Sequence, residues 1–309
     1  MNDINVNLTE QLYDLCKELR IEIYGAGGVD RFKDAPEGHR PEQLLPGAKT
    51  VFSIALPVLP ATYDWDRRLR TSELFPDTEI TPIKKTNPPT RKEIVEHVRT
   101  ELGINEYRSM YDLVSSRLDI FTYEIGRFLL AQGYDTLWYP TSSPILISQA
   151  AVGGNSTWRS KYQYGAFSQT VAGYNCGVGT IGLSHVLLTK KYGPRIRLNS
   201  VITTAGLVES PIMEDLCTKC GLCVRNCPVK AFGKNKVEIF NGKKITTAEF
   251  DKCMCLNSRN VYHSELSEDN IFDHVQNCDC GGLCVKTCPI GTAPKPFQKP
   301  FKGLYGNKR

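Results

Sequence analysis

Hydrophobic positions along this chain fall first into a helical stripe. Leu12, Leu15, Cys16 and Leu19 recur at helical intervals over 8–20, behind an expected N-cap at Asn7. A glycine-rich turn is expected at Gly25-Ala26-Gly27-Gly28. The stretch Leu44-Leu45-Pro46-Gly47-Ala48-Lys49 then reads as a turn feeding a buried strand from Thr50 to Leu56, stopped by Pro57. No strand-turn-helix unit of the right length surrounds the glycines near residue 27, so they form no dinucleotide fingerprint. Residues 60–92, rich in proline and charge, read as a long excursion or lid.

A second amphipathic helix is predicted from Tyr107 to Gln132. Leu113, Val114, Leu118, Phe121, Ile125, Phe128 and Leu129 line one face, and Gly133 is its C-cap. Tyr134–Tyr139 reads as a strand. Residues 153–182 are dense in glycine and aromatic side chains without clear periodicity, a composition suited to a binding surface. Leu183–Leu188 and Ile196–Thr203 are β-rich runs joined by the turn Lys191-Tyr192-Gly193-Pro194.

Composition narrows the class only a little. A hydrophobic content of 41% and a charge content of 23% are ordinary for a globular protein, and a net charge of +5 over 309 residues permits an acidic partner without requiring one. No apolar run is long enough to span a membrane, and Met1-Asn2-Asp3-Ile4-Asn5 does not begin an export signal. A cytoplasmic address is expected. Thiols stay reduced in that compartment, so the twelve cysteines read as metal ligands rather than disulfides. Cys16 and Cys176 stand alone, while the other ten lie between Cys217 and Cys288.

Cys217, Cys220, Cys223 and Cys227, followed by Pro228, form C-x2-C-x2-C-x3-C-P. Three thiolates at this spacing wrap one face of a 4Fe–4S cube, and the fourth, displaced by the extra residue and the proline, ligates a second cube. A zinc site would show two separated C-x2-C pairs and would leave the proline unexplained. Cys284-x3-Cys288-Pro289 repeats the end of the motif beyond an insertion that begins at Phe232. The crossover pattern assigns Cys217, Cys220, Cys223 and Cys288 to one cluster. It assigns Cys227, Cys280, Cys284 and one more cysteine to the other. Cys253 is the choice for that place, with Cys255 and Cys278 as competitors.

With these residues in view, the chain resembles epoxyqueuosine reductase, a group that shares its core with the reductive dehalogenases. The resemblance rests on Leu44–Lys49 with the strand Val51–Pro57, on Cys176-Gly177-Val178-Gly179-Thr180-Ile181-Gly182, on the run from Leu187 to Thr204, and on the cysteine framework. It covers most of residues 40–60 and 105–292. The fold it implies is α/β (α+β), a nitroreductase-like corrinoid-binding domain over 1–207 followed by a small bacterial-ferredoxin-like two-cluster domain over 208–292. A basic tail occupies 293–309.

The resemblance also implies two 4Fe–4S clusters and a base-off cobalamin as cofactors. It places Gly177, Val178, Gly179, Thr180, Ile181 and Gly182 at the corrinoid; the glycines by themselves say only that backbone approaches a ligand or another strand closely. Epoxyqueuosine reductases carry a catalytic aspartate shortly before this motif, but no carboxylate occurs here between Arg159 and Lys190. Tyr162 or Tyr164, beside Lys161 and Arg159, is the substitute proton donor, or else these tyrosines pack at the corrinoid edge. His185 reads as a satisfied structural residue or a cofactor neighbour, and His39, just before the Leu44–Lys49 turn, as a contact to substrate or to a propionamide. Arg195 and Arg197 read as phosphate-binding or solvent-facing.

The expected activity is reductive removal of oxygen or halogen from an unidentified organic substrate, a small molecule or modified nucleoside. Ferredoxin or flavodoxin would supply the electrons. A tRNA substrate is possible but not favoured, since the basic tail reads as solvated and no helical-repeat extension follows the clusters. The competing reading is a non-catalytic ferredoxin-type electron-transfer or corrinoid-activating protein, which the missing aspartate favours.

Overall fold

The computed structural model describes residues 4–59, 91–141, 166–227, 230–251, 255 and 282–292, and of 91–109 and 283 the backbone alone. The elements that organise the rest are helix α1 (Val6–Glu18), strand β1 (Ile23–Gly28), a short helix α2 (Pro41–Leu44) and strand β2 (Thr50–Pro57). Helix α3 (Arg91–Ala131), strand β3 (Thr136–Trp138) and helix α4 (Gln169–Asn175) follow. Strands β4 (Thr180–Ile181), β5 (Leu187–Leu188) and β6 (Ile196–Thr203) complete the N-terminal part.

A four-stranded antiparallel sheet in the order β1-β2-β6-β3 forms its centre. Strand β2 is buried from Thr50 to Ala55, as its nearly unbroken apolar run requires when both sheet faces are covered. Alternation then divides the core. Phe52 and Ile54 pack with Leu8, Leu12, Leu118, Ile125 and Leu129 of helices α1 and α3. Val51 and Ala55 face the opposite way, against Ala172, Tyr174, Cys176, Val178 and Ile181. The sheet is thus a partition between a two-helix layer and a layer built from α4 and the glycine run.

Several expectations shift by a few residues. Helix α1 is capped by Asn5, whose side chain accepts from the Leu8 amide at 2.9 Å, while Asn7 lies inside the first turn. Helix α3 starts well before Tyr107, and it ends where expected, ahead of Gly133 at φ +87°. Of Leu183–Leu188 only Leu187 and Leu188 are strand; the preceding residues turn, with His185 at φ +62°.

Gly25–Gly28 is not a turn but the last two thirds of β1. Its glycines answer a packing demand. A Cβ on Gly25 would overlap the Cys176 carbonyl oxygen, and one on Gly27 would meet that of Asn175. Cys176 itself donates its thiol to the Val51 carbonyl at 3.2 Å, so α4 lies flush on the sheet. Arg31 pins the same region, donating to the carbonyls of Asn175 at 2.7 Å and Ser210 at 2.8 Å and pairing with Glu209.

Two short helices, α5 (Leu222–Arg225) and α6 (Leu283–Lys286), flank a hairpin of β7 (Phe232–Phe240) and β8 (Lys243–Phe250). The insertion at Phe232 is therefore a regular element. Asn241 and Gly242 at its tip have φ of +49° and +69°, the tight hairpin turn that favours an Asn-Gly pair. The hairpin is tied to the rest by Ala248 N–H to the Leu183 carbonyl at 2.8 Å and by Gly242 N–H to Asp34 at 2.8 Å. Among the described residues no helix is long and apolar enough to cross a membrane.

The β1–α4 contact yields a direct test. Gly25→Ala is expected to destabilise the fold by about 1–3 kcal/mol, since backbone on both sides must move. Gly38→Ala, at an open turn position with no neighbouring atom within 4 Å, is expected to cost less. Denaturant midpoints of the two variants check the order.

Candidate metal centre

Cys217, Cys220, Cys223 and Cys288 line one cavity, closed on its other sides by Gly182, Leu183, Ser184, Leu188 and Ile290. Three of the thiols come from α5 and the loop leading into it, Cys223 from the helix itself. The fourth returns from α6, more than sixty residues later in the chain. Among the described residues no three metal-ligating side chains gather as they would around a single ion. Thiols set around a cavity with apolar walls are what an iron–sulfide cube requires, and the residues present fit that group.

The surroundings of each sulfur differ. The Leu183 amide points at Cys217 Sγ, 3.4 Å away, and Cys217 N–H bonds Asp215 at 2.9 Å. Burial pushes the Cys223 thiol up, and a hydrogen bond from Ser184 works against that shift. Burial also pushes Cys288 up to about 11, opposed by the Ile290 backbone and by Arg195. Cys220 is exposed. Ligation of a cluster by Cys223 and Cys288 must overcome that burial and release their protons.

Two half-motifs build the site. Gly221-Leu222-Cys223-Val224 and Gly282-Leu283-Cys284-Val285 each open a one-turn helix behind a glycine, at φ +72° and +68°. Helices α5 and α6 pack against each other. Cys227 follows the first helix and its sulfur accepts from the Ala231 amide at 3.3 Å; Cys288 follows the second in the same place. Cys284 and Cys255 are both partly buried. Cys253, Cys278 and Cys280 lie outside the described residues, as do Tyr162 and Tyr164.

The glycine run reaches this centre at one end only. Gly182 lines the cavity, whereas a Cβ on Gly177 would meet the Pro211 carbonyl and one on Gly179 the Leu188 carbonyl. Val178, Thr180 and Ile181 are buried. In the described residues the close neighbour that the motif demands is protein backbone. Cys16 and Cys176 are core residues whose thiols burial drives up, Cys16 to about 12.

The charged residues are corrected by the geometry. Arg195 is buried, not solvent-facing. Its guanidinium donates to the carbonyls of Val285 at 3.3 Å, Cys288 at 3.1 Å and Ile290 at 2.7 Å. Arg197 stacks on the Tyr111 ring at 3.6 Å and donates to Ser115. His39 and His185 bond the carbonyls of Ala166 and Ala248, as satisfied structural histidines do. Sequence reasoning missed Ser184 and Leu183, whose roles depend on a turn that carries no residue pattern of its own.

A 4Fe–4S binding domain matches residues 210–232, which contain the first four cysteines of the framework. No curated protein matches the chain. Among solved structures, the catabolic reductive dehalogenase NpRdhA is 16% identical, with a TM-score of 0.54 over 91% of this chain and 31% of its own. This chain shares its fold with that part of the dehalogenase. An epoxyqueuosine reductase bound to a tRNA-Tyr stem loop is 16% identical, with a TM-score of 0.48 over 92% of this chain and 65% of its own. The Bacillus subtilis epoxyqueuosine reductase is 15% identical, with a TM-score of 0.48 over 93% and 66%. The chain thus spans about two thirds of the length of these reductases and under a third of the dehalogenase.

With the four thiols on one cavity, Cys288→Ala is expected to impair a single cluster. Iron per chain should fall relative to wild type. Cys16→Ala, in the core, should leave iron content unchanged. Iron and acid-labile sulfide analysis of anaerobic preparations checks both.

Proposed function

We propose that this chain is a two-cluster iron–sulfur reductase that also binds a corrinoid and acts on an organic substrate. The observation that carries the reading is the convergence of Cys217, Cys220, Cys223 and Cys288 on a cavity roofed by the turn between β4 and β5. A pure ferredoxin has no such roof. By the repeat of the two half-motifs, Cys227 crosses to Cys284, with Cys280 and Cys253 completing the second cluster; Cys255 and Cys278 are the alternatives to Cys253.

Support for a further ligand comes from α4. Among the described residues, Asn175 is buried with no partner for either side-chain polar atom, and none meets the buried Oε1 of Gln169. Unpaired amides complement the amide-rich rim of a corrinoid, and leaving them unmatched costs about 1–3 kcal/mol each. A bound corrinoid would supply the reducing metal centre for deoxygenation or dehalogenation. The chain's own residues would bind and orient it within 1–207, exclude water, and deliver a proton from Tyr162 or Tyr164. The basic C-terminal residues are assigned no role.

Electrons would enter from a ferredoxin or flavodoxin. Cys220, the exposed ligand, marks the edge of the first cluster nearest solvent. The substrate is a small molecule or a modified nucleoside, with tRNA not favoured. One observation favours the second reading, a non-catalytic electron-transfer or corrinoid-activating protein: the glycine run packs on Pro211 and Leu188 backbone instead of lying open.

Anaerobic purification with added cobalamin separates the two. The reductase reading expects about eight irons per chain, with stoichiometric corrinoid showing a base-off spectrum. Full iron with no corrinoid uptake would establish the carrier instead.

A further inference from the structure

Three groups of the N-terminal part of the chain touch the ligands of the first cluster. Leu183 offers its amide to Cys217, Ser184 its hydroxyl to Cys223, and Arg195 its guanidinium to the carbonyl of Cys288. Leu183 and Ser184 occupy the turn between β4 and β5, and Arg195 directly precedes β6. Arg195 is 1% exposed. It ties down the returning segment by bridging the carbonyls of Val285, Cys288 and Ile290. Gly193 and Gly291 let the two backbones meet: a Cβ on Gly193 would overlap the Ile290 carbonyl, and Thr292 N–H bonds the Lys191 carbonyl at 2.8 Å.

We propose that Arg195 and Ser184 set the reduction potential of the first cluster, so that this potential belongs to the N-terminal domain as much as to the cysteine module. The inference rests on the cluster assignment made above. A cluster gains negative charge when it accepts its electron. A guanidinium is charged at every accessible pH, and at one peptide group from a ligand thiolate it stabilises the reduced form most. Hydrogen bonds to ligand sulfur act in the same direction by drawing electron density off the cluster. Arg195 is a positioning residue as well, since it fixes the one ligand that arrives from α6. The consequence is a cluster whose potential lies above that of the same cysteine loop without its roof.

The test is a potentiometric titration of the anaerobically purified full chain, followed by electron paramagnetic resonance. Arg195→Gln and Ser184→Ala should each lower the same one of the two midpoints and leave the other in place. For Arg195→Gln the expected change is about tenfold in the reduction equilibrium, or about 59 mV for a one-electron couple. Arg195→Lys keeps the charge and should keep most of the wild-type midpoint. An equal fall in Arg195→Lys and Arg195→Gln would overturn the charge argument. Loaded variants whose midpoints match wild type would overturn the proposal and leave the cluster assignment standing. If Arg195→Gln does not take up its cluster, Ser184→Ala decides, because it removes one hydroxyl and no backbone contact. Wild-type protein without iron would overturn both the proposal and the reading beneath it.

Discussion

The structure depends on bringing Cys288 back to the loop that holds Cys217, Cys220 and Cys223. A fourth thiolate for a cube held on this loop has to come from elsewhere in the chain, and Cys288 reaches the same cavity from beyond the hairpin. Entropy opposes that return. What holds it is a set of directional contacts with the N-terminal part: Arg195 on three carbonyls, Gly193 against Ile290, and Thr292 on Lys191. Burying a guanidinium costs several kcal/mol, and hydrogen bonds to a charged group each return about 1.5–3 kcal/mol. Cluster ligation adds what the protein contacts leave over.

The antiparallel sheet matters because it fixes where those contacts start. Strand β6 lies between β2 and β3, and Arg195 directly precedes it. On one side of the sheet, α4 is pressed onto β1 by the glycines at 25 and 27 and leads into the run that ends at Gly182. The roof over the cluster is therefore the end of a rigid path through the core, from the sheet through α4 and the glycine run to the β4–β5 turn. The hairpin is anchored to the same turn through Ala248 and Leu183. The cysteine cavity, the turn and the sheet are joined by these contacts among the described residues.

Much of this was legible in the residues themselves. The strands around Val51 and Val201 were readable because a sheet covered on both faces needs nearly continuous apolar runs. The helix ending before Gly133 was readable from its stripe and its C-cap. The cysteine spacing anticipates that Cys288 lies beside Cys217, Cys220 and Cys223, and the four do line one cavity. Other features were harder. Gly25–Gly28 looks like a turn locally, and only the approach of Asn175 and Cys176 makes it a strand. Arg195 looks like one of two alternating surface charges, and its burial depends on carbonyls some ninety residues away. The Asn241-Gly242 pair is itself a local hairpin signal, set between two β-rich runs.

The central claim is that the cysteines between positions 217 and 288 hold a pair of cubes, the first of them seated against the N-terminal part. A Mössbauer spectrum of iron-enriched protein, prepared without oxygen, tests this most directly. The account predicts that essentially all the iron appears as oxidised, diamagnetic 4Fe–4S centres in two equal populations. A single mononuclear iron environment, or protein holding zinc in place of iron, would contradict it.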